Sequence, residues 1–107
     1  VGGIRGAVFD RRGVCINLGR THRFYRSDAQ VAARLSRQRC EGAGCDFPAT
    51  RTQTDHIVPW RQGGPTDQDN AACLCGHHNR LKEQGFTMTR GPDGRARWFR
   101  PDGTEIT

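Results

Sequence analysis

The feature that most constrains this chain is its shortage of large apolar side chains. Only 18 of its 107 residues are Leu, Ile, Val or Phe, and the formal net charge is +6. Such a composition lies close to that of disordered chains, and the length allows a single core only. Unless part of the chain is disordered, something besides apolar packing must stabilise the fold. The five Cys and four His residues are the candidates.

The positive charge is concentrated in the N-terminal third and is carried almost entirely by arginine. Residues 1–39 hold nine Arg and two Asp, a net charge of +7, whereas residues 40–85 have a net charge of −2 and residues 86–107 of +1. Guanidinium groups bind phosphate in a bidentate manner. The arginines therefore indicate a polyanionic partner such as nucleic acid, with a merely solvated charged surface as the alternative.

Five segments carry strand or hairpin signals. Residues 5–19 predict a β-hairpin, because two apolar arms flank a Gly-containing turn. Residues 52–58 predict a strand that ends before a proline, and residues 71–74 predict a short extended segment. Residues 86–89 and 96–100 predict a second hairpin around a Gly-Pro-Asp-Gly turn.

Two helices are expected between these segments. Ser27 and Gln30 have the spacing of a capping box, which predicts a helix that begins near Asp28. The predicted apolar stripe of this helix consists of Val31, Ala32 and Leu35. A second helical pattern begins near Gly76, and Gly85 is placed to end it.

No segment is suited to a membrane or to export. No apolar run approaches the ~20 residues that a transmembrane helix needs. The N-terminal stretch VGGIRGAVFD lacks the apolar region of a secretory signal. We therefore expect a cytoplasmic protein that does not bind membranes.

Two pairs of potential metal ligands flank the middle of the chain. Cys40-x4-Cys45 and Cys75-x2-His78 each surround a Gly-containing turn and are separated by the 29 residues 46–74. Three Cys and one His form a common structural zinc site. An ion bound there would join both ends of the intervening segment, and structural zinc can contribute ~10–16 kcal/mol in a small domain.

Other arrangements of these residues remain open. Cys73 would share a strand face with Cys75, so it competes for the fourth ligand position, and His77 is a further rival. Disulfide bonds are the competing use of the cysteines. The odd cysteine count and the absence of an export signal make them less favourable.

The segment between the ligand pairs carries a recognisable motif. It contains Asp55-His56-Ile57-Val58-Pro59-Trp60, then Gly-Gly-Pro-Thr, then Asn70, and finally Leu-Cys-Gly-His-His-Asn-Arg-Leu-Lys. Over roughly residues 36–85 this arrangement resembles the HNH endonuclease motif. It is most similar to the actinobacterial and phage group with the pattern D-H-[IV]-V-P-W-x-x-G-G-x-T…N…L-C-x-x-H-H-x-x-K. Members of that group usually have a longer N-terminal region, so the chain resembles only their C-terminal portion.

The resemblance implies a fold and a chemistry. The fold would be α+β, a small zinc-stapled ββα-metal domain with an N-terminal hairpin and helix and a C-terminal hairpin. The activity would be metal-dependent hydrolysis of DNA phosphodiester bonds, with His56 as the general base and Asn70 orienting the loop that positions it. Asp55 and Asn79 would hold a catalytic Mg²⁺ or Mn²⁺ ion. The structural Zn²⁺ ligands would be Cys40, Cys45, Cys75 and His78, and the DNA-binding residues Arg34, Arg37, Arg61, Arg80 and Lys82.

The last motif position departs from the family pattern. Related proteins have Cys-x-x-His-His, in which the second His binds the catalytic metal, whereas this chain has His77-His78-Asn79 after Cys75-Gly76. The carbonyl oxygen of Asn79 suits a hard ion such as Mg²⁺, but it is uncharged and binds more weakly than a carboxylate. A shifted register, with His77 on zinc and His78 on the catalytic metal, is the alternative.

We expect one domain with three parts. Residues 1–39 form a basic hairpin and helix packed on the core, residues 40–85 the nuclease core, and residues 86–107 a C-terminal hairpin extension. On this division, attraction of DNA and its cleavage lie on different parts of the chain. The alternatives are a zinc-stapled DNA-binding module without catalysis and an accessory protein of phage packaging.

Overall fold

Residues 16–106 are described by the computed structural model of the chain. Within this range, two helices and two small antiparallel sheets form the predicted α+β arrangement. In chain order the elements are α1 (Asp28–Leu35), β1 (Gln53–His56), β2 (Ala71–Leu74), α2 (Gly76–Glu83), β3 (Thr87–Arg90), β4 (Ala96–Phe99) and β5 (Glu105–Ile106).

The centre of the fold is the β1–β2 hairpin followed by α2, which confirms the predicted strand, strand and helix order. The two strands are antiparallel, with Asp55 opposite Ala72 and His56 opposite Ala71. β1 is shorter than the predicted strand of residues 52–58, because the chain turns away toward the loop after His56. β2 is buried along its whole length.

Two small core clusters lie on opposite faces of β2, because side chains alternate across a strand. Ala72 and Leu74 face the C-terminal sheet and pack with Met88 and Trp98. The other face of β2 packs on α1 and on Tyr25 in a second cluster, which consists of Tyr25, Ala29, Ala33, Ala71 and Cys73.

The predicted apolar stripe of α1 is wrong. Val31 is 49% exposed and Leu35 78% exposed, whereas Ala29 and Ala33 are buried. These two alanines are four residues apart and therefore lie on one face of the helix, where their small side chains allow close approach to β2. The helix begins at Asp28 as predicted, but the Ser27 side chain makes no capping hydrogen bond.

The C-terminal region is a three-stranded sheet and not the two-stranded hairpin that we expected. β5 adds to β4 through the pairs Trp98–Ile106 and Phe99–Glu105. The turn before it contains Gly103, at a φ of 90°, and the backbone N–H of Thr104 donates to Asp102 at 2.9 Å. The expected N-terminal hairpin of residues 5–19 lies largely outside the described residues.

Glu41 connects the C-terminal sheet to the rest of the fold. Its backbone carbonyl accepts a hydrogen bond from the Trp98 indole at 2.9 Å, and its carboxylate pairs with Arg90 at 2.6 Å. The other carboxylate oxygen accepts the backbone N–H of Cys73 in β2 at 2.8 Å. Among residues 16–106, no helix is long and apolar enough to cross a bilayer.

Candidate active site and metal cluster

The two predicted ligand pairs converge at the N-terminus of α2. One ligand atom each from Cys40, Cys45, Cys75 and His78 lies within 4.8 Å of the other three; we call these residues the Cys3His cluster. The Cys75 Sγ–His78 Nδ1 distance is 3.3 Å, and the Cys45 Sγ–Cys75 Sγ distance is 4.0 Å. Ligand atoms of a tetrahedral zinc ion lie roughly 3.6–3.8 Å apart. The Cys3His cluster can therefore hold a metal ion such as zinc.

The backbone around the Cys3His cluster is arranged to receive a thiolate. The N–H groups of Gly42 and Cys75 donate to the sulfur of Cys40 at 3.3 and 3.2 Å. Gly42 also makes room for the histidine, since a Cβ atom there would lie 2.3 Å from the His78 ring. The turn between the first two cysteines therefore has no space for a side chain at Gly42.

The rival ligands do not join the Cys3His cluster. Cys73 is buried in the cluster around Tyr25 on the opposite face of β2. It does not share a face with Cys75, because β2 ends at Leu74 and Cys75 already caps α2. His77 is exposed. The cysteines between residues 16 and 106 form no disulfide, and Cys15 lies outside that range.

A cleft of about 390 Å³ lies between β1, α2 and the loop after β1. Five of the predicted site residues line it: Asp55, His56, Arg61, Asn79 and Lys82. The remaining walls are formed by Arg23, Phe24, Thr54, Pro59, Trp60 and Glu83. The fold thus brings residues from three separate parts of the sequence into one concave site.

Asp55 and Asn79 are the two predicted ligands of the catalytic metal, and their hydrogen bonds show which of their oxygen atoms could contact a cation. Asp55 Oδ2 already pairs with a cation, Lys82 Nζ, at 3.0 Å, and the Lys82 ammonium also donates to the backbone carbonyl of His56. Asn79 donates its Nδ2 to Gln53 Oε1 at 2.7 Å. Because the amide nitrogen is used in this way, the carbonyl oxygen of Asn79 remains as the acceptor. The donor set of a carboxylate and an amide oxygen fits Mg²⁺ or Mn²⁺.

The hydrogen bonds around His56 determine which ring nitrogen carries its proton. His56 Nε2 lies 2.8 Å from the hydroxyl of Thr66, and that hydroxyl donates its only proton to the backbone carbonyl of His22. Thr66 must therefore accept from His56, so Nε2 is protonated in the neutral ring. This leaves Nδ1 as the basic nitrogen.

The surroundings of His56 also favour the neutral ring. Burial is the main cause that lowers its pKa below the ordinary value, and the charges of Lys82 and Arg20 act in the same direction. The neighbouring Asp55 carboxylate opposes them. With a lowered pKa, the imidazole is neutral at pH 7 and can accept a proton.

Asn70 holds the loop between the two strands and does not line the cleft. Its side chain accepts the N–H of Val58 at 2.9 Å and donates to the carbonyls of Val58 and Pro65 at 3.0 and 2.9 Å. A Cβ atom at Gly64 would collide with the carbonyl of Val58. These contacts fix the path of the loop between His56 and Thr66, whose hydroxyl contacts the His56 ring.

Three of the five predicted DNA-binding side chains are used within the protein. Arg34 donates to the carbonyl of Thr52 at 2.7 and 3.1 Å, and Arg37 pairs with Glu41 at 3.2 Å. Lys82 is 10% exposed and holds Asp55. Each of these cations already has an acceptor within the protein, so their availability to a phosphate is restricted. Arg61 lines the cleft and Arg80 is exposed on α2.

Sequence reasoning missed the residues that approach the cleft from the N-terminal segment. Arg20 donates to the carbonyls of Trp60 and Gly64 at 2.6 and 2.9 Å, and its guanidinium lies 4.3 Å from the Trp60 ring. Arg23 lies 5.6 Å from the same ring. The sequence analysis predicts that residues 1–39 pack on the core, but it does not name Arg20 or Arg23 as neighbours of this cleft. Their proximity to the cleft becomes apparent only from the three-dimensional path of residues 16–29 around the loop after β1.

Comparisons with known proteins agree with this geometry. Residues 39–85 match the family model described as HNH endonuclease. The chain is 30% identical to the uncharacterized protein Rv1128c of Mycobacterium tuberculosis over 95 residues, which is 89% of this chain and 21% of that protein. It is 35% identical to the uncharacterized protein Rv3776 of the same organism over 92 residues, 82% of this chain and 18% of that protein.

The chain therefore spans only about a fifth of the length of these curated relatives. No solved structure matches it significantly. The matched segment contains the whole Cys3His cluster, Asp55, His56, Asn70 and Asn79. The family that residues 39–85 of this chain match is thus the HNH endonuclease family.

Proposed function

We propose that this chain is a metal-dependent endonuclease that hydrolyses phosphodiester bonds of DNA. The observation that carries the proposal is the meeting of Asp55, His56 and Asn79 in one cleft, with Asn79 directly following the Cys3His residue His78 in the chain. The match to the HNH endonuclease model over the same residues supports it. DNA is accordingly the proposed partner.

Asp55 and Asn79 would hold a divalent ion, Mg²⁺ or Mn²⁺, through a carboxylate oxygen and the amide Oδ1. Such an ion, when bound, stabilises negative charge on the phosphate and on the leaving 3′ oxygen. Lys82 keeps the Asp55 carboxylate paired at 3.0 Å. The lysine contacts only the Oδ2 atom of Asp55, but its positive charge opposes a second cation nearby, so we expect a modest affinity for the ion.

His56 would act as the general base. Its Nδ1 would accept a proton from the attacking water, while Nε2–H stays bound to Thr66. Thr66 and Asn70 are proposed as positioning residues, since both fix the ring or the loop and neither needs to touch the substrate. The Cys3His cluster would hold a structural zinc ion that anchors the N-terminus of α2.

The decisive experiment is a nicking assay on supercoiled plasmid DNA with Mg²⁺ or Mn²⁺ added to the zinc-loaded protein. We expect the wild-type chain to convert the plasmid to open circles and His56→Ala to lose at least about 100-fold in rate, the usual contribution of a general base. His77→Ala is the matched control, because this neighbouring histidine is exposed outside the cleft. It should cleave normally.

Zinc content and the circular dichroism spectrum should be unchanged in His56→Ala. Cleavage by this variant at the wild-type rate would refute the role of His56. Absence of cleavage by the wild-type chain with either ion would refute the proposed activity.

A second candidate is a zinc-stapled DNA-binding module without catalysis. The observation that favours it is the ion pair between Lys82 and Asp55 together with the uncharged Asn79 at the last motif position. The same assay decides between the two, because the module would bind DNA and leave the plasmid intact. For either function we propose a reducing, cytoplasmic setting, in which the thiols of the Cys3His cluster stay available.

We also propose that the three predicted parts of the chain, residues 1–39, 40–85 and 86–107, act as one domain. Tyr25 in the first part donates to the carbonyl of Asp67 in the second at 2.6 Å. Trp98 in the third donates to Glu41 at 2.9 Å. Contacts of this kind support packing of both extensions on the central part.

A further inference from the structure

An exposed aromatic side chain separates the cleft from a second concave site. Phe24 is 68% exposed, and together with Arg23 it lines both the cleft and a neighbouring pocket of about 230 Å³. We call these two residues the Arg23–Phe24 wall. Thr21, His22 and Arg26 complete the lining of the second pocket. The wall therefore connects two sites along one surface.

The charge along this surface is positive. The Arg23 guanidinium lies 5.5 Å from the Phe24 ring and 5.6 Å from the Trp60 ring, so it sits between two aromatic faces. In the second pocket, the Arg26 guanidinium lies 2.8 Å from the neighbouring His22 ring nitrogen. Within the described part of the chain, no carboxylate lies within ion-pair distance of Arg23, Arg26 or Arg61.

A large exposed aromatic ring next to unpaired arginines has a composition that is suited to nucleic acid. Stacking platforms for unpaired bases have this composition: the aromatic ring stacks on a base and the guanidinium groups follow the backbone phosphates. A paired base does not expose its face, so a duplex presents mainly phosphates to such a surface. The combination of ring and charge thus favours an unpaired strand.

We infer that the Arg23–Phe24 wall binds an unpaired stretch of a DNA strand beside the scissile bond. One base stacks on Phe24, the phosphate on the side of the second pocket lies against Arg26, and the phosphate on the other side enters the cleft past Arg23. This inference rests on the proposed function and narrows its substrate to single-stranded DNA or to duplexes with a locally opened strand.

The test is binding, measured by fluorescence anisotropy with a labelled 12-nucleotide oligothymidylate and with a labelled 12-base-pair duplex. The zinc-loaded full chain is used without added Mg²⁺ or Mn²⁺, so that no cleavage is required. We expect Phe24→Ala to weaken oligothymidylate binding by roughly 5-fold or more, the usual cost of one lost stacking contact. Duplex binding should change less than about 2-fold, because phosphate contacts dominate it.

Two further variants keep the test decisive. Phe24→Trp should retain oligothymidylate binding, because the indole also stacks. Leu35→Ala is the matched control, since Leu35 is 78% exposed on α1 and lines neither pocket. It should leave both affinities unchanged. Equal losses on the two DNAs for Phe24→Ala, or no loss on either, would overturn the inference.

The outcome is separable from that of the proposed function. Plasmid nicking depends on His56 and on the divalent ion, whereas the anisotropy titration depends on neither. A chain that binds oligothymidylate through Phe24 without nicking plasmid would refute the nuclease activity and leave the stacking surface standing. A chain that nicks plasmid and is indifferent to Phe24 would refute the surface alone.

Discussion

At the scale of single residues, the most informative contact is the one between His56 and Thr66. The hydroxyl of Thr66 has one proton, which it donates in a hydrogen bond to the backbone carbonyl of His22. The imidazole can therefore only donate to Thr66, which assigns the proton to Nε2 and the basic lone pair to Nδ1. A buried threonine thus sets the tautomer of the proposed base.

Replacement of Thr66 tests this assignment. Thr66→Val keeps the shape of the side chain but removes the acceptor, so the imidazole can populate the other tautomer. We expect the rate of plasmid nicking to fall by about 10- to 100-fold, the usual cost of removing a residue that orients a functional histidine. Zinc content should not change, and Thr66→Ser should restore most of the rate. An unimpaired Thr66→Val enzyme would contradict the tautomer assignment.

The sequence could predict the residue types of the site but not all of their pairings. The resemblance to the HNH motif predicts that Asp55, His56 and Asn79 belong to one site, and all three line the same cleft. Lys82 is predicted to reach a phosphate from the helix face that carries Asn79, whereas its ammonium pairs with Asp55. Spacing on a helix gives the face on which a side chain lies; which partner it takes depends on the strand packed against that face.

At the scale of elements, the turn between Cys40 and Cys45 and the first turn of α2 fit together closely. Gly42 faces the ring of His78, and its lack of a side chain allows Nδ1 to approach Cys40 Sγ to 3.6 Å. This glycine is needed for close approach and not for an unusual backbone angle.

Gly42→Ala should therefore expel His78 from the Cys3His cluster. A Cβ atom would lie 2.3 Å from the ring, so the ring or the turn must move. We expect substoichiometric zinc by elemental analysis and a lower thermal midpoint. Gly44→Ala is the control: it has open space around its Cβ position and a φ of +67°. It should keep its zinc and lose only about 1 kcal/mol of stability. Full zinc occupancy in Gly42→Ala would be inconsistent with this packing.

The elements also show where pattern reasoning on apolar residues fails. The apolar pattern predicts that Val31, Ala32 and Leu35 form the core face of α1, whereas Ala29 and Ala33 form it in the structure. A chain with few large apolar residues packs its elements at short distance through small ones, and alanine carries too weak a signal to be preferred over Val31 and Leu35 in a helical pattern. The sequence does not predict β5 for a related reason: a strand of two residues is too short to show the alternation of apolar and polar side chains that indicates a strand.

At the scale of the whole molecule, the short supply of apolar residues and the Cys3His cluster belong together. The core clusters contain few large aliphatic side chains, with Leu74 the largest that is fully buried. Net stability of a domain is only about 5–15 kcal/mol, and a structural zinc ion can contribute a similar amount. The ion would thus account for much of the stability of this fold.

Removal of zinc should consequently unfold the protein. We expect a strong chelator to abolish the cooperative thermal transition seen by circular dichroism, and an equimolar addition of Zn²⁺ to restore it. Mg²⁺ added instead should not restore it, because thiolates and imidazole disfavour that hard ion. A melting curve that is the same with and without the chelator would rule out a stabilising metal.

The connections made by Glu41 have a consequence for where this fold can be cut. The carboxylate and the backbone carbonyl of this one residue accept hydrogen bonds from residues of β2, β3 and β4. Glu41 also directly follows Cys40, the first residue of the Cys3His cluster. The family match stops at residue 85, ahead of two of these partners, Arg90 and Trp98. A fragment that ends there would lack two of these three partners of Glu41 and would expose one face of the turn between Cys40 and Cys45. The HNH motif and the packed unit that contains it thus have different borders, and we expect that transplanting the motif also requires the strands that follow it.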